Sequence, residues 1–263
     1  MEVEINPFKS LQENANSYFE KSKKAKSKLK GLQAAMQQMR AKIEKTSEQK
    51  KPQKSLERKR SKEWFEKFHW FYTSQNGLLC IAGRDKQSNE LLVKKQMLES
   101  DLYFHADIQG ASHCILKDAR QKGGEIDKRE AAVFAAVFSK AWQSKLAGIE
   151  VYSVLPEQVS KQAKSGEALG TGAFMIYGER EWFKKTPLEF AIGIQENSRI
   201  ISGPLEAVKK QAKAFVIIEF GNEGKAVLAK KLQAIFEKKT GLKASLDELI
   251  SMLPGEGKIK STD

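Results

Sequence analysis

The chain has 263 residues, 40% of them hydrophobic and 30% charged, with a formal net charge of +13 at pH 7. A chain of this length and composition buries a sizeable core, as one large domain or two smaller ones. No apolar run approaches the ~18 residues that a membrane span needs, and the stretch MEVEINPFKS lacks the apolar segment of a secretory signal. Two cysteines, Cys80 and Cys114, lie in apolar stretches, which predicts buried, reduced thiols and a cytoplasmic location.

The excess positive charge is confined to one segment. Residues 21–62 contain 16 Lys or Arg against three Glu, so the rest of the chain carries 30 charges of each sign. Such asymmetry is typical of proteins that bind nucleic acid or another anionic surface. The alternative is a lysine-rich, solvated helix that has no ligand.

The same segment has a helical repeat. From Leu11 to Ile43, apolar or small residues recur at alternating spacings of four and three, which predicts a coiled-coil helix. Ser10 is the expected N-cap, and Pro52 is expected to end or kink the helix. Because a lone heptad helix cannot bury its seam, we expect a partner helix, either residues 54–68 folded back or another chain. The seam consists of Leu11, Ala15, Tyr18, Ser22, Ala25, Leu29, Leu32, Met36, Met39 and Ile43.

The aromatic stretch WFEKFHWFY, residues 64–72, follows the basic segment. Trp64, Phe68 and Phe71 have helical spacing and are expected to pack inward, and Trp70 and Tyr72 share one face of a strand. Platforms for base stacking interleave aromatics with Arg or Lys on a sheet face, whereas here the cations precede the rings. We therefore interpret the stretch as core that joins the arm to the globule, with a stacking surface as the alternative.

The following residues alternate between strand and helix patterns. Residues 68–83 predict a hairpin with a turn at SQNG, 89–98 a helix, 101–108 and 112–118 two strands, and 127–146 a helix. The last helix is expected to bury Val133, Phe134, Val137, Phe138 and Trp142.

Later segments continue this mixture. Residues 148–159, 172–179 and 188–195 predict strands, 199–239 predict strand, helix, strand and helix, and 245–260 predict a short helix and a tail. The fold class is therefore α+β. We predict a basic coiled-coil arm at 1–62, a mixed α+β domain at 63–196 and a small βαβα extension at 197–263.

One cluster suggests chemistry. Asp101, His105, Asp107, His113 and Cys114 lie within fourteen residues, as in a metal or hydrolytic site. However, no HExxH or CxxC spacing occurs, so we predict no metal, no cofactor and no catalytic residue, and we interpret His105 as a structural or ligand-contacting group. The glycines of GEALGTGAF are expected to form a turn, with a phosphate cradle as the alternative.

Several separate motifs resemble one known family. They are KEWFEKFHWFYTSQNGLLCIAGRDKQSNELLVKK, DLYFHADIQGASH, FSKAWQ, EQVSKQAKSGEALGTGAFMIYGE and PLEFAIGI. Together they resemble the NFACT-R domain of the RqcH/NEMF/FbpA family of ribosome-associated quality-control factors. The arm is similar to the coiled coil before that domain, and SGPLEAVKKQAKAFVII and LDELISMLPGEGKI resemble archaeal-type members. His69 departs from the family, which often has Arg there.

The resemblance implies a non-enzymatic protein that binds RNA, transfer RNA and the large ribosomal subunit in quality control of stalled nascent chains. Full-length members begin with an NFACT-N domain, so we expect a separately encoded NFACT-N partner. The alternatives are a module that binds DNA or an anionic membrane, and a hydrolase using Asp101, His105 and Asp107. The expected RNA-binding residues are Arg84, Asp85, Asn89, Glu90, Asp101, His105, Lys161 and Lys164 in the domain, and Lys24, Lys28, Arg58 and Arg60 in the arm.

Overall fold

A computed structural model describes residues 6–8, 10–48, 62–162 and 169–262, with 41–48, 261 and 262 described by backbone alone. The chain divides into two compact units, residues 1–61 and 62–263. Within the described ranges, no helix is both long and apolar enough to cross a membrane.

The first unit contains one long helix, α1 (Leu11–Glu48), which confirms the predicted helix. Its 38 residues span about 57 Å at a rise of ~1.5 Å per residue. Ser10 caps it as predicted, because the Ser10 Oγ accepts from the Glu13 amide at 3.2 Å and the Glu13 carboxylate accepts from the Ser10 amide at 2.8 Å. The seam residues Leu29, Leu32, Met36 and Met39 are 51–70% exposed. Pro52 and the Ile43 side chain lie outside the described residues, and the partner helix stays a prediction.

The second unit is built on a six-stranded antiparallel sheet. Its strands are β1 (His69–Tyr72), β2 (Leu79–Ala82), β3 (Leu102–Ala106), β4 (Cys114–Leu116), β5 (Gly148–Val154) and, after two short strands described below, β8 (Glu181–Pro187). They lie in the order β1-β2-β4-β3-β5-β8. The predicted hairpin between β1 and β2 is confirmed, and Gly77, at φ 65°, takes the left-handed position in its turn.

Several helices belong to the same part of the chain as this sheet. They are α2 (Lys86–Leu91), which continues into one wide turn at Leu92–Gln96, then α3 (Ala119–Lys122), α4 (Glu125–Val137) and α5 (Lys140–Gln143). α4 packs against β3, β4, β5 and β8. The single helix predicted for 127–146 is broken at Ser139, whose Oγ accepts from the Ala141 amide and so starts α5. Phe134, Val137, Phe138 and Trp142 are buried as predicted, and Val133 is half-buried.

A second sheet holds four antiparallel strands. They are β9 (Phe190–Ile194), β10 (Ile200–Gly203), β11 (Ala214–Glu223) and β12 (Gly257–Thr262), in the order β10-β9-β11-β12. The helices α6 (Leu205–Gln211), α7 (Lys225–Thr240) and α8 (Leu246–Met252) belong to the same part of the chain. The tail predicted after α8 is thus strand β12, paired with β11. The predicted boundary at residue 196 falls in the turn between the paired strands β9 and β10.

A short hairpin joins β6 (Val159–Ser160) to β7 (Met175–Ile176), and β7 lies within the strand predicted at 172–179. Strand β8, which forms an edge of the first sheet, was not predicted. The sequence pattern does not identify β8 as a strand, because β8 carries two adjacent lysines and ends at Pro187. Both features usually disfavour a strand.

The two sheets share one hydrophobic core. Phe71 of β1 lies so close to Gly203 of β10 that a Cβ at residue 203 would stand 2.9 Å from the Phe71 Cβ. The stretch 64–72 is core, as predicted, with one correction. Trp64 is 48% exposed, because a short 3-10 helix at Trp64–Lys67 turns Phe65 inward instead, where its ring packs edge-on against Trp70 at 5.1 Å.

The predicted burial of the two cysteines is also confirmed. Cys80 and Cys114 are free and buried, with their sulfur atoms 3.2 Å apart. Burial raises the pKa of the Cys80 thiol well above its ordinary value, so this thiol stays protonated and unreactive.

Candidate nucleic-acid interface

The side chain of Arg84 is bonded to the backbone of the protein itself. Its guanidinium donates to the backbone carbonyls of Phe68 at 2.9 Å and Ser251 at 3.0 Å. The side chain therefore ties the segment before β1 to α8, residues that are far apart in sequence. Because both bonds use its terminal nitrogens, Arg84 has a structural role, and we leave it out of the interface.

Two other predicted residues hold α2 in place. Asp85 caps the helix, since its carboxylate accepts from the Ser88 amide at 2.7 Å, and the bonds from Ser88 lower the pKa of Asp85. Asn89 is buried, and its Oδ1 accepts from the His113 amide at 3.1 Å. Asn89 is thus inaccessible to a ligand, whereas Asp85 is exposed and its contact with RNA stays a prediction.

Glu90 and Lys161 form a hydrogen-bond network with the glycine turn. Lys161 Nζ donates to Glu90 at 2.7 Å and to the carbonyls of Gly170 and Ala173 at 2.9 and 3.0 Å. Glu90 also accepts from the Gly172 amide at 2.6 Å. Its pKa is lowered to about 2, first by the bond from Lys161 and then by Lys94. Gly170 and Gly172 thus lie in the predicted turn, whereas Gly166 lies outside the described residues. The ammonium of Lys161 has no hydrogen left for a phosphate.

Asp101 is fully buried. Its carboxylate accepts from Lys117 Nζ at 2.5 Å and from the amides of Leu98 and Asp118 at 2.7 and 2.9 Å. These bonds hold the turn before β3 against the end of β4. A side chain that is inaccessible and so fully bonded cannot serve RNA or catalysis, so the prediction for Asp101 is corrected to a structural role.

His105 belongs to an aromatic row that sequence reasoning missed. The register pairs His105 of β3 with Tyr152 of β5, and Tyr152 with Trp182 of β8. The ring centroids are 5.8 Å apart for His105 and Tyr152, and 5.4 Å for Tyr152 and Trp182. We call His105, Tyr152 and Trp182 the aromatic row. It spans about 10 Å across three strands.

The row lies on the sheet face opposite α4. Phe104 and Val151, which alternate with His105 and Tyr152 along their strands, belong to the main core, whereas Tyr152 belongs to a second, smaller cluster. Trp182 is 40% exposed. One end of the row is therefore open to solvent.

A cation covers the middle of the row. The guanidinium carbon of Arg180, an exposed residue, stands 4.4 Å from the ring centroid of Tyr152 and 5.8 Å from that of Trp182. Aromatic rings interleaved with arginine on a sheet face are the arrangement that stacks unpaired bases. The signal was absent from the sequence because these residues come from separate strands and meet only through the register.

All three histidines are buried enough to stay neutral. Burial lowers the pKa of His105 to about 4 and that of His113 to about 3. The pKa of His69 is lowered well below its ordinary value by burial, and then by the charges of Arg84 and Lys225. His105 thus enters the aromatic row as an uncharged ring.

The remaining predicted residues lie in the arm or in undescribed segments. Lys24 and Lys28 are exposed on α1, whereas Arg58, Arg60 and Lys164 lie outside the described residues. In the ranges that the structure describes, no three His, Cys, Asp or Glu side chains are grouped as metal ligands would be.

Comparisons with known proteins identify the family that the domain resembles. Residues 67–178 match the family described as the NFACT protein RNA binding domain. The archaeal Rqc2 homologue aRqcH of Methanocaldococcus jannaschii is 40% identical over 74% of this chain and 28% of its own length. The Drosophila melanogaster homologue of the ribosome quality control complex subunit NEMF is 36% identical over 73% of this chain and 20% of its own.

Human ribosome quality control complex subunit NEMF is 35% identical over 64% of this chain and 16% of its own length. This chain therefore contains an NFACT-R domain and is a relative of the Rqc2, RqcH and NEMF proteins of ribosome quality control. It spans less than a third of the length of each of these three relatives.

We expect Arg84→Ala to destabilise the second unit by about 2–4 kcal/mol. The change leaves the carbonyls of Phe68 and Ser251 without their donor, and each lost bond to a charged group costs ~1–3 kcal/mol. Urea unfolding measures the effect. Lys86→Ala, at an exposed neighbouring residue, is the control. Equal stability of the two variants would contradict the structural role.

The buried histidines predict acid sensitivity. Because their folded-state pKa values are lowered, the unfolded chain binds protons first, so the free energy of unfolding falls as pH decreases below about 6.5. Each histidine contributes up to ~1.4 kcal/mol per pH unit. His69→Phe keeps the stacking on Phe138, whose ring centroid is 3.8 Å away, and should remove one such contribution. Urea midpoints between pH 7.5 and 5.5 test this, and identical slopes for the two proteins would refute it.

Proposed function

We propose that this chain binds RNA through its NFACT-R domain in quality control of stalled nascent chains, with transfer RNA and the large ribosomal subunit as its ligands. One observation carries the proposal. Trp182, the exposed end of the aromatic row, and Arg180 lie just after residues 67–178, which match the RNA-binding family, and on the same sheet.

The surface suits unpaired bases. Every base has a π-face, and each stacked base contributes ~1–3 kcal/mol, with little dependence on sequence. The loops and ends of a transfer RNA offer such bases, whereas the edges of paired bases in a duplex are less accessible. Trp182 supplies the exposed ring, and Arg180 supplies a guanidinium plane that attracts both a base and its phosphate.

The arm supplies a second, electrostatic contact. Residues 21–30 contain six lysines and no acidic residue, and all ten residues are exposed on α1. Lys24 and Lys28 stand one turn apart on the same side of this helix. A straight helix with this charge density fits the phosphate backbone of ribosomal RNA, because each contact releases counterions.

We propose that the chain acts in the cytoplasm with an NFACT-N protein, since full-length members of the family that it resembles begin with that domain. We also propose that the chain is not itself an enzyme and that any extension of the nascent chain uses the catalytic centre of the ribosome.

Removing the stacking surface should weaken RNA binding. We expect Trp182→Ala and Arg180→Ala each to reduce the affinity for a labelled single-stranded 12-mer RNA by about 5- to 100-fold, the effect of one lost stacked base. Arg180→Lys should give an intermediate loss, because lysine keeps the charge without the plane. Fluorescence anisotropy measures the affinity, and urea unfolding checks the fold.

The control is Trp64→Ala, since Trp64 is a similarly exposed tryptophan, 48% against 40% for Trp182, outside the row. Unchanged affinity in a folded Trp182→Ala protein would refute the stacking surface. The affinity for a DNA of the same sequence tests the alternative that the ligand is DNA. Recognition of the 2′-hydroxyl would make the affinity for the RNA higher.

Neutralising the arm should release the chain from ribosomes. With Lys24→Gln and Lys28→Gln combined, we expect weaker co-sedimentation with large ribosomal subunits and a shallower salt dependence, because two phosphate contacts are lost. Lys238→Gln with Lys239→Gln on α7, both exposed, is the matched control.

The assay is repeated with an added NFACT-N protein. Equal losses in both variants would refute the arm contact, and no gain with the NFACT-N protein would refute the partnership.

A further inference from the structure

A groove beside the aromatic row carries unpaired positive charge. It lies between α4 and the edge strand β8 and has a volume of about 520 Å³. Arg129 from α4 and Lys184 and Lys185 from β8 line it. We call these three residues and the space between them the cationic groove.

A β-bulge explains why adjacent lysines share this groove. Thr186 pairs with Ile149 and Phe183 with Val151, so Lys184 and Lys185 together oppose the single residue between those partners on β5. In a regular strand, consecutive side chains point to opposite faces, whereas a bulge redirects them. Lys185 has φ 51°, in the left-handed region that a non-glycine residue seldom adopts. The backbone of Lys185 is therefore strained, and the strain occurs at the point where both lysines line the groove.

The three cations have no internal partner among the residues that the structure describes. Within the described parts of the chain, Arg129, Lys184 and Lys185 are exposed and make no ion pair or side-chain hydrogen bond. The two acidic residues of the groove differ. Lys128 pairs with Glu181 at 3.1 Å and with Glu125 at 3.8 Å, and Ser153 donates to Glu181 at 3.0 Å. The groove therefore keeps a surplus of positive charge.

The groove adjoins the row through one residue. Trp182 is the exposed end of the aromatic row and also lines the groove. Lys184 follows Trp182 by two residues on β8, and Arg129 lines the same groove, so we expect the phosphates next to a base stacked on Trp182 to enter the groove. Strand addition by an acidic peptide is disfavoured, since the bulge and Pro187 interrupt the hydrogen-bonding edge of β8.

We propose that the cationic groove binds the phosphate backbone of the single-stranded RNA whose bases stack on the aromatic row. This inference rests on the proposed function and extends it. It assigns the groove to phosphates and the row to bases, so the two parts of the surface have separable chemical roles.

The test compares two 12-mers, an RNA and an abasic oligomer with the same ribose-phosphate backbone. Arg129→Gln with Lys184→Gln should weaken binding of both oligomers by about 10-fold at 0.1 M salt and lower the salt slope by about 1.4, since each phosphate contact in a single strand contributes ~0.7. Trp182→Ala should weaken binding of the RNA alone. Lys230→Gln with Lys238→Gln, two exposed lysines of α7, is the matched control.

A third variant addresses the bulge. Lys185→Gly removes a charge but favours the left-handed backbone, so we expect weaker binding to both oligomers with no loss in the free energy of unfolding. Unfolding of this variant at lower urea would contradict the strain argument.

The outcomes separate the two proposals. If the RNA binds and the groove variant matches the α7 control, the groove assignment fails while the stacking surface stands. If Trp182→Ala leaves RNA binding intact, the proposed function fails. If the groove variant loses affinity for an acidic 12-residue peptide and keeps its affinity for both oligomers, the ligand is a peptide and the inference is overturned.

Discussion

Neighbouring residues of a β-strand point to opposite faces, and in the six-stranded sheet this alternation separates core from surface. Phe104 and Val151 pack into the main core under α4, and their neighbours His105 and Tyr152 emerge on the other side with Trp182. A slip of one residue in either pairing would exchange the two faces. The hydrophobic effect that fixes the register therefore also assembles the aromatic row, and no separate interaction is needed to align its rings.

Polar groups in this domain are mostly occupied by the fold. Asn89, Asp101 and Lys161 each satisfy backbone atoms of turns or helix ends, where an unpaired group would be costly. Residue type alone made them look like ligand contacts. The groups left over for a ligand are the exposed ring of Trp182, Arg180 and the bulge lysines.

The elements with strong local signals were predictable from the sequence, and the surface was not. The β1–β2 hairpin follows from its turn residues and the heptad helix from its spacing. β8 was missed because its two lysines and its bulge break the alternation that identifies a strand. The aromatic row was missed because its three members are far apart in sequence and only long-range pairing joins them, while the dense aromatics at 64–72 are mainly core.

The guanidinium of Arg84 links residues 68 and 251 through two hydrogen bonds. These residues lie near the two ends of the globular unit. Because both bonds come from one guanidinium, we expect the loss of one to weaken the other, so that the entry to β1 and helix α8 open together. An enzyme that trims the carboxyl end would thereby loosen the start of the first sheet as well. Mechanical tension transmitted along the chain would likewise be resisted at this junction before it reached the strands that carry the rings.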